Sequence, residues 1–330
     1  MSDSRAGLPP FFITIDAEGD DLWAKPQRIT ASNASFLPRF QGLCEAYGLR
    51  PTYLTNYELA SSVVFQEFGR DVLSRGAAEI GMHLHAWNSP PLEPLTRDDH
   101  AFQPYLAEYP ERLVREKVRY LTGLLEDTFG VKLVSHRAGR WHLDETYARV
   151  LVEHGYLVDC SVTPQISWRR TLGDPAAAGG SDYSLFRDRA YFLDLEDLSR
   201  EGSSPLLEVP LTVLSRRRSL ARMLPARARD LPLVQRALAG LAPVRKLTPK
   251  RDNLKDLTAI AADALRSGRG HLELAIHSSE LMPGGSPSFP GSTDIERLYE
   301  SLGALFEFSQ GRTRGATLAE YRAEVSLPSP

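Results

Sequence analysis

The stretch FFITID, from Phe11 to Asp16, is short, apolar and rich in β-forming residues, and it ends in a carboxylate. Such a run is typical of a buried strand that delivers a polar group at its carboxyl end. Later stretches of the same character are also predicted as strands: Pro51–Thr55, Glu79–His85, Val131–His136, Tyr156–Val162, Leu206–Thr212 and His271–His277. The predicted strands therefore extend over most of the chain.

Helix-like stretches lie between many of these strands. Their apolar residues are spaced three and four apart, and they are Glu58–Ser74, Glu111–Thr128, Asp144–His154 and Asp294–Phe308. Strands that alternate with helices form parallel sheets or barrels, and a barrel of this size can be one domain. We therefore expect an α/β fold with a single domain over residues 1–330 and two irregular insertions at its rim, at about 86–109 and 164–253.

The charges of the chain are nearly balanced, with 39 Lys and Arg against 42 Asp and Glu. Because no general basic field exists to attract nucleic acid, we expect a small molecule or a sugar as ligand. The first ten residues contain no apolar signal region and no later run is long enough to span a bilayer, which predicts a cytoplasmic protein. Cys44 and Cys160 are interpreted as buried, reduced thiols.

One segment departs from this balance of charge. Residues Ser215–Arg251 contain eleven Lys and Arg and a single acid, Asp230. We interpret the segment as a solvated helical arm or a contact between subunits. The alternative is a basic face that meets phosphate or anionic lipid at a membrane surface.

Polar side chains collect at the ends of the predicted strands. Those at or just past a strand end are Asp16, Glu18, His83, His85, His136, Arg137, Asp159 and His277. In a β/α barrel the carboxyl ends of the strands open onto one face, where functional groups gather. Packing alone would scatter such residues, so we expect most of them to converge on one rim.

Two pairs among these residues indicate a metal site. Residues two apart on an extended strand share a face, so Asp16 and Glu18 point the same way, as do His83 and His85. Two histidines and one carboxylate are a frequent catalytic ligand set for zinc, and the other carboxylate can then accept a proton from water. An acidic loop after a strand is the alternative for the first pair.

The remaining candidates surround this site. An arginine such as Arg137 would keep Asp16 ionised and oriented. His277 suits a general acid, although it could instead be a third histidine ligand or be tied to Glu280. Tryptophans at strand ends either stack on a sugar ring or pack at the rim. The residues expected to contact the substrate are Trp87, Arg140, Trp141, Asp159 and Glu280.

In their order and spread, these motifs resemble those of the NodB-homology polysaccharide deacetylases, carbohydrate esterase family 4. The similar motifs are T-I-D-A-E at Thr14–Glu18, E-I-G-M-H at Glu79–His83, H-R-A-G-R-W at His136–Trp141, V-D-C-S-V with Asp159, and the final histidine motif at His277. The chain departs from the family at three points. His85 must replace the usual second histidine because Trp87 stands at that position, Glu18 replaces an aspartate, and Gly139 replaces a proline.

The resemblance implies a distorted (β/α)7 barrel of the polysaccharide-deacetylase type with one divalent metal ion, which we expect to be zinc. The implied metal ligands are Glu18, His83 and His85. The resemblance also implies that Asp16 acts as the base, oriented by Arg137, and that His277 acts as the acid. The implied reaction removes the N-acetyl group of an amino sugar.

A cytoplasmic location favours a precursor substrate, such as a nucleotide- or lipid-linked sugar of bacterial surface-polysaccharide assembly. Two alternatives stay open. The first is a hydrolase of another bond, either a different C–N amide or a glycosidic bond cleaved by the two acids without metal. The second is a metal-free carbohydrate-binding relative without catalysis.

Overall fold

The computed structural model describes residues 7–171, 179–214, 234 and 244–327. The basic segment Ser215–Arg251, with its expected roles as an arm, a subunit contact or a membrane-facing surface, lies outside the described residues except for residues 234 and 244–251. In the part of the chain that is described, no helix combines the length and the apolar character that crossing a bilayer requires.

The described strands form one large sheet and one small one. In chain order they are β1 (Pro10–Ala17), β2 (Thr52–Thr55), β3 (Glu79–Leu84), β4 (Ser135–Ala138), β5 (Val158–Asp159), β6 (Tyr191–Asp194), β7 (Asp197–Glu201), β8 (Leu207–Glu208), β9 (Val213–Leu214), β10 (Arg245–Lys246), β11 (Leu272–His277) and β12 (Arg314–Gly315). The order β11-β1-β2-β3-β4-β5-β8 is parallel throughout. All the predicted strands therefore contribute to one parallel sheet.

The two ends of this curled sheet approach each other without pairing strand to strand. The backbone N–H of Glu273 in β11 donates to the Thr212 hydroxyl, which follows β8, at 2.8 Å. The His271 Nε2 lies 2.8 Å from the Pro210 carbonyl oxygen. Side-chain contacts thus replace part of the backbone ladder at this seam, and the barrel is distorted there.

Helices pack around the sheet, most of them on its outer face. They are α1 (Leu37–Ala46), α2 (Tyr57–Ala60), α3 (Val63–Ser74), α4 (Asp99–Phe102), α5 (Glu111–Phe129), α6 (Glu145–Glu153), α7 (Leu257–Arg266), α8 (Ser292–Ser309) and α9 (Leu318–Glu324). The single helix predicted at Glu58–Ser74 is two helices in the structure, because the helix is interrupted at Ser61 and Ser62. Helices α1, α4, α7 and α9 were not predicted.

The two faces of each strand bury different kinds of residue. In β1, Phe11, Ile13 and Ile15 pack in the large core shared with the helices. Phe12 points the other way, into a smaller cluster drawn from strands across the sheet, including Leu54 and Val158. This alternation places Thr14 and Asp16 on the inner face, as expected for side chains two apart.

The segment 164–253, predicted as irregular, contains regular structure. Strands β6 and β7 pair antiparallel with each other, and β6 extends the large sheet from β8. Strands β9 and β10 form a separate antiparallel pair. Conversely, the predicted strand Tyr156–Val162 is reduced to Val158–Asp159. The β-strand propensities of its residues did not predict β7, because its sequence, DLSRE, is mostly polar.

Candidate metal centre and active site

The structure brings the three predicted metal ligands together. Glu18 and His85, just past the ends of β1 and β3, and His83 within β3 are all buried, and one donor atom of each lies within 4.8 Å of the others. The Glu18 Oε2 is 3.5 Å from the Nε2 of His83 and 3.1 Å from the Nε2 of His85. The two Nε2 atoms are 2.9 Å apart. The H-x-H spacing therefore does put both imidazoles on one side of the strand.

The tautomer of His83 and the lowered pKa of His85 both suit metal ligands. The Nδ1 of His83 lies 3.0 Å from the Arg137 carbonyl oxygen, which can only accept, so Nδ1 carries the hydrogen and Nε2 presents a lone pair. Burial lowers the pKa of His85 although a hydrogen bond to the Glu18 carboxylate opposes this, and the lowered pKa favours the neutral, metal-binding form. The residues present thus fit a cation by chemistry.

The distances also fit. A tetrahedral zinc ion with ligand bonds of about 2.0–2.1 Å separates its donor atoms by about 3.3 Å. The three separations among Glu18, His83 and His85 are 2.9, 3.1 and 3.5 Å. Two buried imidazole lone pairs that face each other, with a carboxylate beside them, repel one another. The arrangement is unfavourable unless a proton or a cation lies between these atoms.

Close backbone approach holds the histidine segment in place. A Cβ atom added to Gly139, just after β4, would lie 2.6 Å from the Leu84 carbonyl oxygen and 3.0 Å from Cδ2 of His85. Only a residue without a side chain allows this approach. This gives a physical reason for the glycine at the position where the resembling family has proline.

We therefore expect Gly139→Ala to weaken metal binding about tenfold to a hundredfold, because His85 must move away from Glu18 and His83. Competition with a chelator of known affinity measures this effect. Gly123→Ala is the matched control, since nothing lies within 4 Å of the added Cβ in α5. Equal metal affinity in the two variants would show that the Gly139 contact does not position the ligands.

Asp16 lies beside the triad and is paired with Arg137. The Nη1 of Arg137 donates to Oδ1 of Asp16 at 2.6 Å, and both side chains are buried. Burial raises the pKa of Asp16, but the positive charges of Arg137 and His277 outweigh it, so the pKa lies below its usual value. Asp16 is therefore a carboxylate at neutral pH.

The guanidinium of Arg137 is held from several sides inside the barrel. Its Nη2 donates to the Thr14 hydroxyl at 2.7 Å and to the Glu273 carboxylate, and its Nε donates to the Cys160 carbonyl oxygen at 3.1 Å. Glu273 is fully buried, and burial raises its pKa to about 7 even though Arg137 opposes this. These hydrogen bonds hold the guanidinium in one orientation and so fix the position from which Arg137 donates to Asp16.

His277, the last residue of β11, faces the same carboxylates. Its Nε2 lies 3.7 Å from Oδ2 of Asp16 and 3.9 Å from Oε1 of Glu18. Its Nδ1 lies 3.1 Å from the Glu280 carboxylate, which also accepts from the His277 backbone N–H. Burial lowers the pKa of His277, but Glu18, Glu280 and Asp16 together raise it to about 9. The imidazole is thus protonated at neutral pH, with Glu280 fixing its orientation.

The three candidate metal ligands, Asp16 and His277 line one cavity of about 600 Å³. All four tryptophans of the chain line it: Trp23, Trp87, Trp141 and Trp168. One face of Trp87 is covered by the stacked ring of His100, and Arg137 lies over a face of Trp141. Trp23 is 44% exposed and meets His277 only edge to face, so its ring presents the most open stacking surface.

The predicted substrate contacts divide into two groups. Trp87, Arg140, Trp141 and Glu280 line the cavity. Asp159 does not line it, because the neighbouring Val158 and Cys160 occupy the inner face of β5 and Asp159 alternates to the other side. There its Oδ2 lies 2.6 Å from the Nδ1 of His136. The Nε2 of His136 in turn lies 2.6 Å from the Tyr147 hydroxyl oxygen. The geometry gives no support to Asp159 as a substrate contact.

Several cavity residues were not predicted from the sequence. They are Trp23, Lys25, His100, Tyr105, Trp168, Lys246 and Lys250. They lie in loops, in short helical turns or in the short strand β10, all outside the seven predicted strands, where residue type alone gives no signal. Burial and the charges of Arg140, His85 and Lys25 lower the pKa of His100 to about 4, so it is neutral.

No protein-family model matches this sequence, and no curated protein matches it. Among solved structures, the chain is similar to a protein from Mycobacterium smegmatis described as a polysaccharide deacetylase, with a TM-score of 0.55 and 16% identity over 99% of this chain and 96% of that chain. It is also similar to a protein from Parabacteroides distasonis described as a glycoside hydrolase/deacetylase, with a TM-score of 0.62 and 11% identity over 96% of this chain and 71% of that chain.

A carbohydrate esterase family 4 pseudoenzyme from Bacillus anthracis matches with a TM-score of only 0.43 and 11% identity, over 97% of this chain and 68% of that chain. At such identities the likeness concerns the fold alone. The expectation of a distorted β/α barrel of the polysaccharide-deacetylase type is confirmed by the first two of these structures.

Proposed function

We propose that this protein is a metal-dependent hydrolase that removes the N-acetyl group from an amino sugar. One observation carries the proposal: a buried Glu18–His83–His85 donor set shares a tryptophan-lined cavity with an ionised Asp16 and with His277. The two solved structures of this fold, which are described as a deacetylase and a glycoside hydrolase/deacetylase, support the same reaction class.

The proposed division of labour follows from the charges. A divalent ion such as zinc, when bound by Glu18, His83 and His85, would supply Lewis-acid polarisation of an amide carbonyl. Asp16 is ionised and accepts a proton from the attacking water, while Arg137 keeps that carboxylate charged and oriented.

His277 supplies the proton for the departing amine. Its Nε2 faces the Asp16 and Glu18 carboxylates, and its Nδ1 is fixed by Glu280. A divalent ion on Glu18 would offset part of the negative charge that raises the His277 pKa, which would bring it closer to neutrality. A general acid is most effective when its pKa lies near the working pH.

The deciding experiment combines metal analysis of the purified protein with an acetate-release assay on N-acetylated sugars. We expect about one divalent ion per chain and acetate release that a chelator abolishes and zinc restores. A protein that holds metal but releases no acetate from any acetylated sugar would contradict the deacetylase proposal. A protein that binds acetylated sugars and holds no metal would support the non-catalytic alternative.

His277→Ala should lower kcat about a hundredfold or more while the metal content stays near that of the wild type, because a proton donor is lost and no ligand is removed. The measurements are steady-state kinetics and metal content on the same sample. Loss of metal in this variant would instead make His277 a ligand. Glu280→Gln, which keeps the hydrogen-bond acceptor but removes the charge, should have a smaller effect on kcat.

A further inference from the structure

Four lysine or arginine side chains line the cavity: Lys25, Arg140, Lys246 and Lys250. Among the described residues, none of their side chains forms an ion pair with a carboxylate. The acids in the same cavity already have partners, since Asp16 contacts Arg137, Glu280 contacts His277, and Glu18 contacts the two triad histidines. The cavity therefore has an excess of uncompensated positive charge beside the reaction site.

Lys246 and Arg140 are half-buried, whereas Lys25 and Lys250 are exposed. Lys246 is at the end of β10, and its Nζ lies 5.0 Å from the ring centroid of Trp168. Burial and the neighbouring Lys250 lower its pKa to about 8, against a small opposing effect of Glu280. An ammonium group in such a place gains most from an anion that enters with the ligand.

Arg140 is presented by an unusual backbone. Its φ is 57° and that of Trp141 is 58°, so two consecutive residues with side chains adopt the left-handed region. Residues with side chains are strained in this region, and strain of this kind clusters at ligand sites. Arg140 is close enough to His85 and His100 for its charge to lower the pKa of both.

The segments that carry Arg140 and Lys246 meet. Trp141 and Val244, which lies just before β10, both pack on a small apolar cluster that includes Val213, in β9. The turn that carries Arg140 and the strand pair β9–β10 that carries Lys246 therefore pack on the same cluster, and both side chains line the same cavity. Trp168, beneath Lys246, adds a flat apolar surface to this cavity.

We propose that the cavity contains an anion subsite, formed chiefly by Arg140 and Lys246, that binds a phosphoryl group attached to the sugar substrate. A phosphoryl group brings up to two negative charges and several acceptor oxygens, which matches a guanidinium and up to three ammonium groups better than a neutral glycan does. The inference rests on the proposed deacetylase function for the reaction, but the anion subsite itself does not depend on it.

The first test is binding, with inorganic pyrophosphate as the probe. Isothermal titration of the metal-loaded wild type should show a salt-sensitive complex, and both Lys246→Met and Arg140→Gln should weaken it about tenfold. Lys255→Met is the matched control, because Lys255 is exposed and outside the cavity, and it should bind pyrophosphate like the wild type. Melting temperatures and metal content confirm that the variants are folded, and if one variant is unfolded the other decides.

The second test separates the sources of the phosphoryl group. Acetate release is compared for an N-acetylhexosamine, its 1-phosphate and its nucleoside diphosphate form. We expect kcat/KM to be at least tenfold higher for one or both phosphorylated substrates, and we expect Lys246→Met to reduce that ratio. A preference for the 1-phosphate alone indicates a monophosphate site, and a preference for the nucleoside diphosphate form alone indicates a diphosphate site.

The outcomes distinguish failure of the subsite from failure of the proposed reaction. Acetate release without preference for phosphorylated sugars, together with absent or variant-insensitive pyrophosphate binding, overturns the subsite and leaves the deacetylase intact. Pyrophosphate binding that depends on Lys246 and Arg140, without acetate release from any sugar, keeps the subsite and overturns the deacetylase. Pyrophosphate that binds equally to all variants is held by the metal or by the general surface and also overturns the subsite.

Discussion

His85→Ala is expected to purify with little or no metal and to be active only when metal is added in large excess. His85 supplies one of three protein donor atoms, and its Nε2 lies 2.9 Å from that of His83 and 3.1 Å from the Glu18 carboxylate. Removing one ligand of three costs much of the affinity of a catalytic metal site. His83→Ala should behave in the same way. Metal content after identical purification, with chelator competition for the affinity, measures the effect.

His100→Ala is the control for this prediction. His100 lies in the same cavity and stacks on Trp87, but it is outside the donor set. It should therefore keep the metal content of the wild type. If the His83 variant is empty while the His85 variant remains fully loaded, the H-x-H ligand pair is wrong and another group supplies the third donor.

Asp16→Asn is expected to lower kcat by about a thousandfold while the metal remains bound. The amide cannot accept a proton from water, and removal of a general base typically costs 10²–10⁴-fold. Glu18 and the two histidines are unchanged, so the metal content should stay near that of the wild type. Steady-state kinetics and metal analysis on one preparation measure both quantities.

Glu273→Gln is the matched control for Asp16→Asn. It also removes a buried carboxylate that contacts Arg137, but Glu273 does not line the cavity. We expect it to keep activity within about tenfold of the wild type, with its main effect on stability. Similar losses of activity in the two variants would mean that the charge around Arg137, and not proton transfer by Asp16, limits the reaction.

Much of the fold was predictable because the pattern that specifies it is local. The apolar runs in β1, β3 and β11 are contiguous, and a buried parallel strand needs only such a run. The weakly marked strands were less well predicted. The polar strand β7 and the two-residue strands β9 and β10 exist through pairing with a partner segment, which no local pattern reveals.

The grouping of the candidate metal ligands was likewise predictable, for the same local reason. Side chains two apart on an extended strand must share a face, so the H-x-H pair converges whatever surrounds it. The same rule was available for Asp159, but the sequence does not say which face of β5 is the inner one. Packing of Val158 and Cys160 inside the barrel decides this and turns Asp159 towards His136.

Local sequence patterns predict three features: the alternation of strands and helices, the set of polar residues at strand ends, and the pairing of His83 with His85. Tertiary packing alone brings Arg137 to Asp16 across 121 residues and places four tryptophans and four Lys or Arg side chains in one cavity with Asp16. The first group follows from backbone geometry over a few residues. The second depends on how distant segments pack, and the free energy of that packing is a property of the whole barrel.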